Sequence, residues 1–266
     1  MTKRQETELY APLKQYWEQL GYEVRAEVRH CDLVAIHPQC PEQPVIVEMK
    51  ASANLTLLLQ ALDRQKSAAH VFIAIEAKRS KQANQKRLRA VAELCRRIGI
   101  GFLTVTLYAR KPAFVELHTA PYGWEDRSSR FLYSNLGTGG SIHEDNETYD
   151  DHDQTPPIIP PKKPMAARQA KLIREFNGRS GDYNVGGSTK RPLVTAYREK
   201  ALRVALALQQ GQSKPVRVKE ASGIGDAAAI LRHNYYGWFA RIERGQYALT
   251  RDGEAALLQY AEIVDV

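Results

Sequence analysis

Five consecutive apolar residues, Val71-Phe72-Ile73-Ala74-Ile75, constrain this chain more than any other stretch. A strand with one wet face alternates apolar and polar residues, whereas a strand that is apolar throughout is covered on both faces. Such a strand belongs inside a sheet with helices on either side. The flanking sequence supplies both. Leu9, Leu13, Trp17 and Leu20 recur at helical spacing and stop at Gly21. Pro12 is tolerated only in a first turn, so this helix begins close to Glu8. Tyr22, Val24, Ala26 and Val28 alternate with charged residues, as in a half-buried strand. Strands at 31–36 and 44–50, a helix at 55–67, the apolar strand and a helix at 82–98 follow, then strands at 100–107 and 112–118. The order α-β-β-β-α-β, with a further helix and strand pair, predicts one α/β domain over residues 1–120.

Residues 121–190 break this pattern. Gly137 to Ser141 is glycine-rich, 143–153 holds six acids and no Lys or Arg, and Pro156-Pro157 and Pro160-Pro161 follow. Asn177 to Lys190 adds four glycines. This is the composition of a solvated linker.

Residues 191–266 return to globular patterning. A helix carries Leu202, Leu206 and Leu208 and ends at Gly211. Val216 and Val218 read as a brief extended segment, and Val216 to Gly223 can also hold a short helix. A helix over Asp226 to Tyr236, a hairpin around Arg244-Gly245 and a helix over 251–263 complete the order of a winged helix. Arg232, His233 and Asn234 on the recognition helix, with Arg241 and Arg244 on the wing, are then the candidate DNA contacts. The aromatic group Tyr235, Tyr236, Trp238 and Phe239 leaves a protein interface open as the rival use, a homodimer included.

Charge points the same way as the hairpin. The chain is +8 overall, but from Lys162 to Lys219 there are 14 Lys and Arg against three acids. Localised basic charge is the footprint of phosphate binding, so the expected partner is nucleic acid, in particular DNA. Three cysteines without a CxxC argue against a disulfide framework or a structural zinc. The N-terminal residues lack the apolar core of a signal peptide, and no apolar run approaches the ~20 residues that span a bilayer. A soluble protein of the reducing cytoplasm, with no membrane partner, is expected.

The residues that carry chemistry lie at the end of the strand Pro44-Val45-Ile46-Val47, where Glu48-Met49-Lys50 follows. An acid and a lysine two apart on a strand share a face. Asp32 opens the preceding apolar run, Leu33 to Ile36. Two carboxylates on adjacent strands suit a magnesium or manganese ion, which keeps several waters. Asp32 and Glu48 would be ligands, the Met49 carbonyl a third, and Lys50 would orient water or steady charge on a phosphate. An isolated Glu-x-Lys is more often an exposed ion pair; the upstream aspartate and the element order favour the metal site. Glu27, on the strand before Asp32, can approach the metal but reads first as a cross-strand salt-bridge partner, and His30 reads as a turn residue, since no second histidine stands at ligand spacing. Gly186-Gly187 lacks the spacing and preceding strand of a phosphate loop.

The α-β-β-β-α-β order, Asp32 and Glu48-x-Lys50 together resemble the PD-(D/E)xK nuclease superfamily. The literal Pro-Asp is absent, because Asp32 follows Cys31. The resemblance implies a restriction-endonuclease-like core. It also implies an acid on the first helix, for which Glu6 and Glu8 both qualify, and a glutamine on the helix after the lysine, which Gln60 matches. More closely, residues 6–64 resemble the nuclease half of a bacterial family of PD-(D/E)xK phosphodiesterases. Gly181-Asp182-Tyr183-Asn184-Val185-Gly186-Gly187-Ser188 and the C-terminal unit resemble its other half. The expectation is a metal-dependent nuclease recruited to DNA by a winged helix. The alternative is a non-catalytic DNA-binding regulator that keeps a nuclease-like domain for interaction, and a protein-binding adaptor is a third reading.

Overall fold

A computed structural model describes residues 6–77, 82–124, 163–187 and 192–264. The glycine-rich, acidic and proline-rich stretches at 137–141, 143–153 and 156–161 lie outside them. The chain divides into two units: Met1–Asn177 with Asn184–Arg191, and Gly178–Tyr183 with Pro192–Val266.

The first unit opens on a 3-10 turn, Glu6–Leu9, that runs into α1 (Tyr10–Gln19), with Pro12 in its first turn. Then come β1 (Glu23–Val28), β2 (Cys31–Ile36), β3 (Val45–Lys50), α2 (Leu55–Arg64), β4 (His70–Glu76), α3 (Gln82–Arg97), β5 (Gly101–Thr106) and β6 (Phe114–Thr119). The six strands lie side by side in chain order. β1, β2 and β3 pair antiparallel, β3, β4 and β5 parallel, and β6 returns antiparallel on β5.

Each face of this mixed sheet is covered. Leu13 and Trp17 of α1 pack with Val45, Val47, Phe72 and Ala74. On the other face Leu57 and Ala61 of α2 and Cys95 of α3 pack with Ile46, Val71 and Ile73. The apolar run of β4 therefore divides its side chains between two cores, as its sequence predicts.

The linker reading fails over part of its length. Ala166–Asn177 is a helix, α4, whose Leu172 and Phe176 are buried in the same core as α2 and α3. Its start is tied to the first unit by the Met165 N–H, which donates to the Lys66 carbonyl at 2.8 Å. The four-residue spacing of Leu172 and Phe176 carried the helix signal, and the basic surroundings obscured it.

The second unit contains α5 (Ala196–Gln209), α6 (Pro215–Ser222), α7 (Ala227–His233), a hairpin of β7 (Phe239–Glu243) and β8 (Gln246–Leu249), α8 (Arg251–Gln259) and α9 (Ala261–Val264). The extended segment expected at Val216 and Val218 is helical instead. Pro215 supplies the first helical position, where its missing N–H is not needed, and Val218 is buried. The helix expected over Asp226 to Tyr236 stops at His233, because Asn234 turns left-handed with φ 45° and ψ 46°. Leu202, Ala205, Leu231, Trp238 and Leu257 share one core. No helix among the described residues is long and apolar enough to cross a membrane.

Candidate functional site

The β1–β2 hairpin turns on Arg29 and His30, both left-handed with φ of 50° and 64°. Two positive φ values are what a tight two-residue hairpin turn requires. Asp32 thus enters β2 one residue past the turn. The β2–β3 backbone pairing runs through Ala35↔Val45, Val34↔Ile46 and Leu33↔Val47. One step further, the Asp32 Oδ2 accepts the Met49 N–H at 2.8 Å. A side chain takes over from the ladder there and ties Asp32 to the Glu-x-Lys strand.

Glu48 stays in the parallel ladder opposite Ile73 and is fully buried. Its Oε1 accepts the Arg64 Nε–H at 2.5 Å, and a second Arg64 nitrogen donates to the His30 carbonyl. Its Oε2 is buried and has no hydrogen-bond partner. The Lys50 Nζ lies 3.7 Å from the Glu6 Oε2.

Of the two acids that the sequence could not separate, Glu6 stands beside Lys50, and Glu8 is exposed. Gln60 is half-buried on the face of α2 that carries Arg64, one turn earlier. It is Arg64 that reaches Glu48, and the sequence reading missed it. A signal existed: Leu57, Ala61 and Arg64 fall at i, i+4 and i+7, so an arginine continues the sheet-facing stripe of α2. Glu27 is buried in left-handed backbone (φ 53°), and its Oε1 accepts the Gly187 N–H at 2.9 Å. His30 is an exposed turn residue, as expected.

Burial lifts the Glu48 carboxyl to about 7, the Asp32 charge adds to the rise, and Arg64 opposes it. Asp32 is raised as well, by burial, against the pull of the Met49 N–H and of Lys50. Two neighbouring carboxylates drawn from water resist ionising together, and Arg64 and Lys50 only partly offset this. The unpartnered Glu48 Oε2 and the all-oxygen donor set fit a small, hard divalent ion. Among the described residues no three His, Cys, Asp or Glu side chains form a ready metal cluster. A cation here would draw on two carboxylates and complete its shell from backbone carbonyl and water.

In the second unit Arg232 and His233 are exposed at the end of α7, and Arg241 and Arg244 are exposed on the hairpin. Asn234 departs from its expected role. Its Nδ2 donates to the Phe239 carbonyl at 2.7 Å, and its Oδ1 accepts the Phe239 N–H at 3.1 Å. Asparagine tolerates the left-handed turn, and from there its amide pins the start of β7.

This is a mixed α/β protein in which the half-buried Asp32 near the start of β2 lies by the buried Glu48 and by Lys50 at the end of β3. Residues 143–256 match the model of a family described as "Putative PD-(D/E)XK phosphodiesterase (DUF2161)". The match bears out the resemblance over the Gly181 to Ser188 stretch and the second unit through most of α8, and it also takes in α4; Asp32, Glu48 and Lys50 lie outside it. No curated protein and no solved structure matches the chain.

Proposed function

We propose that this chain is a metal-dependent phosphodiesterase acting on nucleic acid, with Mg2+ or Mn2+ as its ion and DNA as its substrate. The observation that carries the reading is the Glu48 carboxylate, buried beside Asp32 with one oxygen held by Arg64 and the other unpartnered. Asp32, Glu48 and the Met49 carbonyl would hold the ion. When bound, it would neutralise phosphodiester charge and lower the pKa of a coordinated water. Arg64 fixes the Glu48 rotamer, so one carboxylate oxygen remains for the site. Lys50, steadied by Glu6, presents an ammonium to the attacking water or to the phosphate.

The second unit reads as a winged helix that recruits the enzyme. Its α5, α6, α7, hairpin and α8 follow that order, and four exposed basic side chains, Arg232, His233, Arg241 and Arg244, lie on α7 and the hairpin. The test is cleavage by the full chain on single-stranded, double-stranded and branched DNA and RNA with magnesium or manganese. Cleavage should vanish in Asp32→Ala and Lys50→Ala while DNA affinity persists. A wild type inert on every substrate sinks the enzyme reading.

A second reading is a non-catalytic DNA-binding regulator. It rests on the exposed basic side chains of the second unit, Arg232, His233, Arg241 and Arg244, with the first unit kept as a nuclease-like interaction domain. Manganese titration separates the two, because the regulator has no binding that Asp32→Ala removes.

A further inference from the structure

The Gly181 to Ser188 stretch has no role in the reading above, yet its Gly186 and Gly187 lie against the site. A Cβ placed on Gly186 would fall 2.5 Å from the Asp32 carbonyl oxygen, 2.7 Å from the Met49 Cε and 2.8 Å from the Tyr10 Cδ2. Real Cβ atoms do not approach so closely, so the backbone occupies space that any side chain would need. The next residue, Gly187, has φ +74°, and a Cβ there would meet the Glu6 Cβ at 3.4 Å. Its N–H holds the Glu27 carboxylate. Two successive glycines thus touch the elements that carry Glu6, Glu27, Asp32 and Met49.

Glu27 is itself unusual. It lies inside a strand, between the pairs Ala26↔Leu33 and Val28↔Cys31, and so stands level with Asp32. Its backbone is left-handed, which is unfavourable for any residue with a side chain and persists only where the surroundings enforce it. Strain of this kind gathers at functional sites. Here it comes with a buried carboxylate and a hydrogen bond spanning 160 residues of sequence.

We propose that Asn184–Gly187 is a strap that positions the site: Gly187 anchors it to Glu27, and the bare Gly186 backbone seats the Asp32–Met49 pair. This deepens the phosphodiesterase reading and rests on it only for the metal. Gly186, Gly187 and Glu27 are positioning residues, acting through Asp32 and Met49. The strap lies inside the family-matched stretch, and the acids it seats lie outside it.

The test uses the full chain and compares Glu27→Gln with Glu27→Ala. Both remove the same charge, but only glutamine keeps an oxygen for the Gly187 N–H. Hydrogen exchange at the Met49 amide and Mn2+ affinity are read in each. Glu27→Ala should exchange faster at Met49 than Glu27→Gln and bind Mn2+ about tenfold more weakly, the scale of outer-shell effects on metal affinity. Gly186→Ala should match Glu27→Ala, while Gly225→Ala, where a Cβ meets nothing within 4 Å, should match wild type. Equal exchange and affinity in the two Glu27 variants overturn the proposal. If wild type binds no Mn2+, the metal reading fails, and the exchange comparison still decides the strap.

Discussion

The Arg64 Nε stands 2.5 Å from the Glu48 Oε1, and this contact between α2 and β3 opposes the rise that burial and the Asp32 charge impose on the Glu48 carboxyl. Glu48 is completely buried, and its partner is the cation that keeps one oxygen satisfied. Arg64→Ala leaves a buried carboxylate unpaired, at a cost of about 3–5 kcal/mol. Urea unfolding of the metal-free protein should show that loss, with Arg64→Lys recovering part of it. Mn2+ should stabilise Arg64→Ala more than wild type, because the ion replaces the missing charge.

The Glu48 carboxyl gives the metal-free protein a definite pH dependence. Its folded value is about 7, against 4.5 for the free side chain. A carboxyl raised on folding contributes stability that is full below the unfolded value and lost as pH climbs through the folded one. The window therefore runs from about pH 4.5 to 7, with at most about 3 kcal/mol at stake. Glu48→Gln removes this slope. Calorimetry in EDTA should find Glu48→Gln more stable than wild type at pH 8 and level with it near pH 4. A wild type that gains on the variant between those values contradicts the burial of an ionisable Glu48.

Asp32 has two jobs that substitutions can separate. Asp32→Ala deletes both the charge and the acceptor of the Met49 N–H, whereas Asp32→Asn keeps an acceptor. Both should eliminate cleavage and Mn2+ binding. Only Asp32→Ala should also lower stability, by about 1–3 kcal/mol, since it strands a buried donor. Lys50→Ala should abolish cleavage without weakening Mn2+ binding, because it removes a cation from beside the site.

The parts of this site that sequence reveals are those governed by short-range periodicity. The apolar run of β4 and the order of the nine helices and strands from α1 to β6 follow from periods of 2 and 3.6, and they place Asp32 and Glu48 on neighbouring strands. Glu6 and Glu8 could not be separated, because Glu6–Leu9 is a 3-10 turn. Its three residues per turn rotate side chains differently from an α-helix. Arg64 is hidden from residue type, because arginines on helices usually face solvent, although its register with Leu57 and Ala61 puts it on the sheet side. The Gly187–Glu27 bond was out of reach, since no local pattern encodes a contact across 160 residues. Asn234 looked like a base-reading amide because its type suits that task, and the left-handed turn that redirects it depends on the packing of β7.

The proposed DNA surface makes a different prediction for Asn234 than for its neighbours. Arg232→Ala, Arg241→Ala and Arg244→Ala should each weaken DNA binding. Each should also reduce the slope of log affinity against log salt by about 1 for every phosphate that the arginine neutralises. Asn234→Ala should leave that slope unchanged and instead destabilise the unit by about 1–3 kcal/mol, having stripped Phe239 of two hydrogen bonds. Affinity measured at several salt concentrations, beside thermal melts, separates the two effects.

α4 offers the sharpest test of where the first unit ends. Phe176 is 1% exposed, packs in the core with Val71 and Ile73, and carries the Arg25 guanidinium 4.5 Å above its ring. Phe176→Ala opens a cavity beneath the sheet and removes that cation–π interaction, for a destabilisation of about 3–5 kcal/mol. Trp17 and Trp124 lie in the first unit, and Trp238 lies in the second. With Trp238 replaced by Phe, tryptophan fluorescence follows the first unit alone through a urea titration. In that background Phe176→Ala should move the midpoint to lower urea. A tether would leave it where it was, so an unchanged midpoint would return residues 166–177 to the linker that their composition suggested.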